Sequence, residues 1–547
     1  MPTNPSSLRN DQSVKLSVTV KSRLEKKYNT NALDKINAAV ERWKSADSKR
    51  GIQTVHVHVD DSKEMNDLGV APVSGEATPE KIKQAIEDLW NKLTPTPDYL
   101  VLFGSDDIVP MFPVPNPSFG NNSNVDTDKT VPTDNPYATH LPFSPLDTHS
   151  YRIPERAIGR IPDMVSEPGA PDGSGDPAWF IVYLDTATNW EPRAASVYNT
   201  PYAICTAEAE DAGTEFMQKT FTDTSLQALL CPPHSDAADS PATRDELSAA
   251  LHMIKCHGNK EDATFWGFPD SGQHTKEAAR PAITSAILTV LPNAPTVVAT
   301  MCCYGAQIFS PKDAGTWPVA STYLRKGALG FVGPTMMAWV HTSGLGPADW
   351  IVQSYLKNVL AGQSIGNALL ASKQDYHSFY SLDDNILSDP EEKTLIEFIL
   401  LGDPSIHPVK SAQCSRDLLA IQSRRRRRDA RAKLATGIRE CLPIKSDATE
   451  AEKAMANDVL VRAQKKIAKI AKADSEKLKE FGIYPTAVQV KRIEAPVPGS
   501  QASRQSLEFY WGGRRLRGRQ KQFCVLRTET DLKGKLVPGS TKVIYTS

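Results

Sequence analysis

Residues 78–104 read TPEKIKQAIEDLWNKLTPTPDYLVLFG. Thr78 followed by Pro79 is a helix start: a hydroxyl to accept a free N–H, then a residue whose fixed φ suits the first turn. Ile82, Ala85, Ile86, Leu89 and Trp90 recur at helical spacing, so one face is apolar. YLVLFG at 99–104 is then a continuous apolar run, the pattern of a strand buried on both faces of a parallel sheet. Upstream, NALDKINAAVERW (31–43) is amphipathic and TVHVHV (54–59) is strand-like. Helices alternating with buried strands predict an α/β fold with a mostly parallel sheet sandwiched by helices.

The same grammar continues downstream. Strand-type runs are RAIGRI (156–161), LHMIKC (251–256), TFWGF (264–268), TVVATMCC (296–303) and ALGFVG (328–333). Helices are expected over Ser321–Arg325, Pro347–Ala361 and Ile365–Tyr376, and a hairpin after His257. The Pro- and Asn-rich stretch from Pro110 to Pro145 shows no apolar period and reads as a long surface loop.

With 547 residues the chain exceeds one ordinary domain. The net charge of −1 conceals an asymmetry: residues 411–547 hold 30 Lys+Arg against 14 Asp+Glu (+16), leaving residues 1–410 at −17. Three regions are expected. They are an α/β domain (1–410), a basic helical linker (411–481) with five consecutive arginines, and a small β-rich module (482–547) of short runs such as TAVQVKRI and QFCVLR. The basic region suits nucleic acid, an anionic surface, a regulatory protein partner or the acidic body itself. Arginines near Phe509, Tyr510 and Trp511 add the cation–aromatic mixture that single strands favour. No apolar run reaches the roughly 18 residues of a membrane-spanning helix. Eight cysteines without CxxC pairs, and an N-terminus (MPTNPSSLRNDQS) lacking basic and apolar leader segments, lead us to expect reduced thiols and a cytoplasmic protein.

Two strand ends carry candidate chemistry. LHMIKCHGNKEDATFWGF (251–268) ends an apolar run in Cys256-His257-Gly258, at the sheet edge where α/β folds place their sites. PTVVATMCCYGAQ (295–307) delivers Cys302 and Cys303 to a strand end, with Gly305 just beyond. A nucleophilic cysteine needs a base and free amides for the oxyanion, and a strand edge can supply both. Taken singly, a His-Gly pair is unremarkable, and cysteines of this kind are often simply buried apolar residues.

Together the two ends, about forty residues apart, resemble the caspase-fold cysteine peptidases, and the wording is most similar to their gingipain-like branch. The resemblance rests on KKYN, DSKRGIQTV, DYLVLFGSDDIVP, PTDNPYA, ERAIGRIP, CHGNKEDATFWGF, CCYGAQ, GALGFVGPTMMAW and LLGDPSIHPV, in consistent order over roughly residues 20–410. It implies a cysteine endopeptidase with His257 as general acid/base. Cys303 is the preferred nucleophile, on pleat alternation and on relatives reading ACYGA; Cys302 remains the alternative. The amides of Gly258 and Cys303 would hold the oxyanion. Asp134 of PTDNPYA matches the aspartate that selects Arg or Lys, although Asp in TDNP is also an ordinary turn residue. Asp106, Asp107 and Asp270 are reserves, and Trp339 would wall the same pocket. The run Arg424, Arg425, Arg426, Arg427 and Arg428 then reads as an autoprocessing site, or as a solvated or nucleic-acid-binding segment. No redox or organic cofactor or metal is implied; calcium dependence occurs in parts of this clan, and no EF-hand loop is present. Bacterial relatives of this fold act in regulated proteolysis, including defence. The alternative class is a catalytically idle scaffold binding nucleic acid or a protein through its basic tail.

Overall fold

The computed structural model describes residues 12–410, apart from 120–125, 141–143, 145–147, 222, 224, 234–245, 271–273, 290–293, 312–315 and 381–386. Beyond residue 410 it describes 455, 459–465, 483–496, 503–517, 520–530, 533, 535–536 and 542–545. The chain divides into two compact units, Met1–Leu419 and Ala420–Ser547.

The first unit is built on one ten-stranded sheet. Its strands are β1 (Ser13–Thr19), β2 (Ile52–His58), β3 (Tyr99–Phe103), β4 (Ala157–Ile161), β5 (Tyr202–Thr206), β6 (Leu229–Cys231), β7 (Leu251–Lys255), β8 (Thr296–Thr300), β9 (Ala328–Pro334) and β10 (Phe398–Gly402). They lie in the order β2-β1-β3-β4-β10-β9-β8-β7-β5-β6. Every pair is parallel except β9 with β10. The sheet is thus two parallel five-stranded halves joined along one antiparallel seam.

Helices cover the sheet because their apolar stripes need burial. The first, α1 (Thr30–Lys49), buries Ile36, Val40 and Trp43, and Asn29 caps it by accepting from the Ala32 N–H. The second, α2 (Pro79–Lys92), is capped by Thr78 and buries Ile82, Ile86, Leu89 and Trp90. Further helices are α3 (Ala178–Asn189), α4 (Glu210–Thr220), α5 (Val319–Arg325), α6 (Pro347–Leu360), α7 (Ile365–Tyr380) and α8 (Asp389–Glu397). The sequence pattern passes over β1, β5, α3 and α4. The last two are weakly marked: α3 (AWFIVYLDTATN) has apolar residues on all sides, and α4 opens on acidic residues that read as a turn.

The stretch from Pro110 to Pro145 departs from the expected surface loop. Phe112–Pro115 pairs antiparallel with Thr130–Thr133, and Asn135–Ala138 forms a buried turn. Phe112 and Val114 point inward while Pro113 and Pro115 face out, so a period of two is present over four residues, too short to stand out. Prolines fit such a short strand wherever their missing N–H faces solvent. Among the described residues no helix is long and apolar enough to cross a membrane.

In the second unit, Ile483–Pro496, Ser503–Arg517, Gln520–Thr530 and Lys542–Tyr545 form an antiparallel four-stranded sheet in chain order. The arginines 424–428 lie outside the described residues.

Candidate active site

Three adjacent strands of the second half end level with one another. Ile254 of β7 pairs with Ile204 of β5 on one side and Thr300 of β8 on the other. The residues just beyond these ends, Glu208, His257 and Cys303, therefore emerge along one edge of the sheet, its carboxyl edge, where open parallel sheets place their sites.

The cysteine turn comes first. Strand β8 stops at Thr300, so pleat alternation does not reach the two cysteines. Thr300 Oγ1 accepts from the Cys302 N–H at 3.0 Å, and Gly305 N–H donates to Cys302 O at 3.0 Å, closing a tight turn. Tyr304 takes the left-handed conformation at φ +56°, which bulky residues rarely adopt and which often marks functional strain. The turn separates the thiols. Cys302 is fully buried with Sγ against Ile254 O, and its thiol is pushed up to about 12, mainly by burial. Cys303 is partly exposed; the Ala338 N–H donates to its Sγ at 3.3 Å. Burial pushes the Cys303 thiol up to about 11, against the lowering pull of that N–H.

The segment after β9 clasps this turn. Tyr304 N–H donates to Met336 O, and Ala306 N–H donates to Pro334 O. Lys393 of α8, buried, donates to Met337 O at 2.7 Å and to Asp126 Oδ2 at 2.5 Å. One ammonium thus pins the strand that holds the thiol. Trp339 follows Ala338, half-buried, with its indole N–H left without a hydrogen-bond partner. The Tyr304 hydroxyl donates to Asp128 at 2.6 Å.

The histidine arrives from the neighbouring strand. His257 and Gly258 pair antiparallel with Trp266 and Phe265, the expected hairpin. A Cβ on Gly258 would lie 2.0 Å from Cys303 O, so only glycine lets the two strand ends meet. Nε2 of His257 lies 2.5 Å from Glu208 Oε1. Glu208 sits in the turn after β5, and its N–H is bonded to Phe268 O. Sequence reasoning missed Glu208, because TAEAED resembles an acidic helix start and the strand before it went unread. Its signal is the buried run YAICT, which delivers Glu208 to the same edge. His274 binds the other oxygen of Glu208 at 2.8 Å.

Asp134 already has a partner. It is 3% exposed and held bidentate by Arg160, with Nε 3.0 Å from Oδ2 and Nη2 2.5 Å from Oδ1. Arg160, fully buried, also donates to Gly104 O and Val109 O. The carboxylate is thus neutralised by an arginine of β4, in the first half of the sheet. Of the reserves, Asp106 accepts from the Met111 N–H and Asp107 pairs with Lys27, both in that same half. Asp270 is exposed, just past Phe268, whose ring packs edge-on against His257.

A family model described as Peptidase family C25 matches residues 27–164 and 253–409. The chain belongs to peptidase family C25. It is therefore a cysteine peptidase of the gingipain type. No curated protein matches this C25 peptidase significantly. Solved structures similar to it include the Arg-specific cysteine proteinase gingipain R, at 12% identity and TM-score 0.46, covering 98% of both chains. Another is the complex of Porphyromonas gingivalis RgpB pro- and mature domains, at 11% identity and TM-score 0.45, covering 97% of this chain and 99% of that chain. A third is described only as a protease, at 13% identity and TM-score 0.44, covering 72% of this chain and 78% of that chain. The C25 assignment rests on the sequence match, which spans β7, β8, β9 and β10 together with His257 and Cys303.

Proposed function

We propose that this C25 peptidase is an endopeptidase in which Cys303 attacks, His257 moves the proton and Glu208 holds the imidazole. The observation that supports this reading is the close approach of Gly258 to the Cys303 carbonyl, next in the chain to the His257 that pairs with Glu208. The Cys303 proton passes to His257, the thiolate sulfur bonds to the substrate carbonyl carbon, and the amides of Gly258 and Cys303 receive the oxyanion. His257 returns the proton to the departing amine as the C–N bond breaks. Water, deprotonated by His257, then releases the acyl group as a carboxylic acid and regenerates the thiol. A thiol raised to about 11 fits a pair that ionises only when substrate is bound.

Cleavage after Arg or Lys is the finer part of the proposal. The pairing of Asp134 with Arg160 speaks against that task for Asp134. Asp128 is better placed: it is half-buried, bonded to the residue following the nucleophile, and accepts one hydroxyl proton, which leaves carboxylate valence for a cation. Trp339, with its unpartnered indole N–H, would form the facing wall. The arginine run 424–428 is then a candidate internal substrate, and cutting there would separate most of the basic region from the body.

The test is digestion of a peptide library with purified protein, with cleavage sites read by mass spectrometry. Cleavage confined to bonds after Arg and Lys is expected. Asp128→Asn should cost at least tenfold in kcat/KM on basic substrates and much less on neutral ones, because only a charged partner loses its counter-ion. Equal loss on all substrates would show that Asp128 only props Tyr304. Cys303→Ala protein should stay whole where the wild type splits within residues 424–431.

A further inference from the structure

Holding a catalytic imidazole takes one carboxylate. Here Glu208 carries two histidines, one on each oxygen: His257 Nε2 at 2.5 Å from Oε1 and His274 Nε2 at 2.8 Å from Oε2. The three ligating atoms lie within 4.8 Å of one another. Phe268 fixes both rings. It stacks on His274 at 5.0 Å and 26°, and meets His257 edge-on at 5.0 Å and 85°. The result is a convergent pair of imidazoles and a carboxylate, with an aromatic wall behind and solvent on the His274 side, where that ring is 54% exposed.

We propose that Glu208, His257 and His274 form a binding site for a divalent transition-metal ion of the zinc type, and that filling it switches the peptidase off. The inhibitory half rests on the reading of His257 as the catalytic base; the binding half does not. Two imidazole nitrogens and one carboxylate oxygen are the donor set of zinc or cobalt, whereas calcium and magnesium require mostly oxygen ligands. A tetrahedral zinc with bonds near 2.0–2.2 Å sets its ligand atoms about 3.3 Å apart. The His–Glu contacts must therefore open by less than about 1 Å, which the exposed His274 ring can supply by rotating. The metal replaces the protons now shared between each imidazole and Glu208, and three protein ligands leave the fourth position to water. His257 bound through Nε2 can neither be oriented by Glu208 nor carry a positive charge, so it no longer takes the Cys303 proton.

The experiment uses the full chain carrying Cys303→Ala, which removes self-cleavage and, among the described residues, the most exposed thiol as a ligand. Titration with Co2+, followed by its visible absorption, and with Zn2+, followed by calorimetry, should show one ion bound per chain. His274→Gln in that background should weaken binding at least tenfold, and excess Ca2+ should not compete. In protein with Cys303 intact, His274→Gln should keep peptide turnover within about twofold of wild type while needing at least tenfold more Zn2+ for half-inhibition. Absence of binding in the Cys303→Ala protein, or unchanged affinity in His274→Gln, would overturn the site. Binding that depends on His274 but leaves turnover untouched would uphold the site and overturn the catalytic role of His257.

Discussion

The two five-stranded halves of the sheet are alike in strand type and both pair their buried charge, as Lys255 does with Asp349 at 2.5 Å in the second, but they differ at their strand ends. In the first, Lys15, Lys27 and Arg160 are each held by more than one partner. Lys15 lies between Asp47 at 2.6 Å and Asp403 at 2.5 Å, all fully buried. Lys27 bridges Asp107 and Asp163, and Asp163 also accepts from Tyr28 and from the Ser105 N–H. Arg160 closes on Asp134 and two backbone carbonyls. In the second half, the strand ends leave valence open: Cys303 is partly exposed, His257 is held from one nitrogen, and Glu208 reaches two partners at the surface. Buried charge used for structure is closed off, because an unpaired buried ion is costly. At the proposed site, Cys303 is instead left partly exposed.

The largest effect that would break this contrast belongs to the nucleophile. Cys303→Ala should lower turnover of a fluorogenic peptide by more than a thousandfold with an unchanged thermal melt, while Cys302→Ala keeps measurable activity. The reverse result would move the nucleophile one residue back. Combining Cys303→Ala with His257→Ala should do no further harm, since residues acting as a unit are not additive.

Next is the closed side. Asp134→Asn leaves Arg160 buried without its counter-ion and should cost about 3–5 kcal/mol in urea unfolding. Where the variant still folds, its residual activity should fall equally on basic and neutral substrates. A loss confined to basic substrates at full stability would make Asp134 part of the site after all.

A smaller effect is expected at the open side. Glu208→Gln keeps shape but loses charge, and should reduce kcat roughly 10–100-fold, in the range of a mispositioned general base, with little change in KM. The matching change in the first half, Asp163→Asn, should lower stability without altering kcat in the folded fraction. Loss of kcat there would mean the halves are coupled.

The smallest effect lies beneath the seam. Glu397 is fully buried, neither carboxylate oxygen has a hydrogen-bond partner, and burial pushes its carboxyl up to about 8. A carboxyl whose folded value lies above its unfolded value of about 4.5 favours folding while protonated; that contribution is complete below 4.5 and fades as pH rises through 8. Glu397→Gln should therefore be more stable than wild type at pH 8, and nearly equal to it at pH 4.5. A pH-independent difference would indicate a packing effect instead.

The strands and helices with strong periodicity were legible before folding: Thr78-Pro79 opens α2, YLVLFG is β3, and the hairpin follows His257. These are local matters, settled by caps, by apolar spacing and by continuous β-branched runs within one stretch of chain. His257 and Cys303 could be singled out because each terminates such a run. Glu208 and His274 could not, since nothing nearby in the chain distinguishes them from surface residues, and their role arises from the register that sets β5, β7 and β8 level. Asp134 shows the converse. Its motif survives in the sequence, but whether a carboxylate meets a substrate or an internal arginine depends on what the fold packs against it, and Arg160 stands 26 residues away on β4. Composition and periodicity are properties of segments. Which charges find each other, and which are left unsatisfied at the surface, is decided only when distant strand ends are brought into contact.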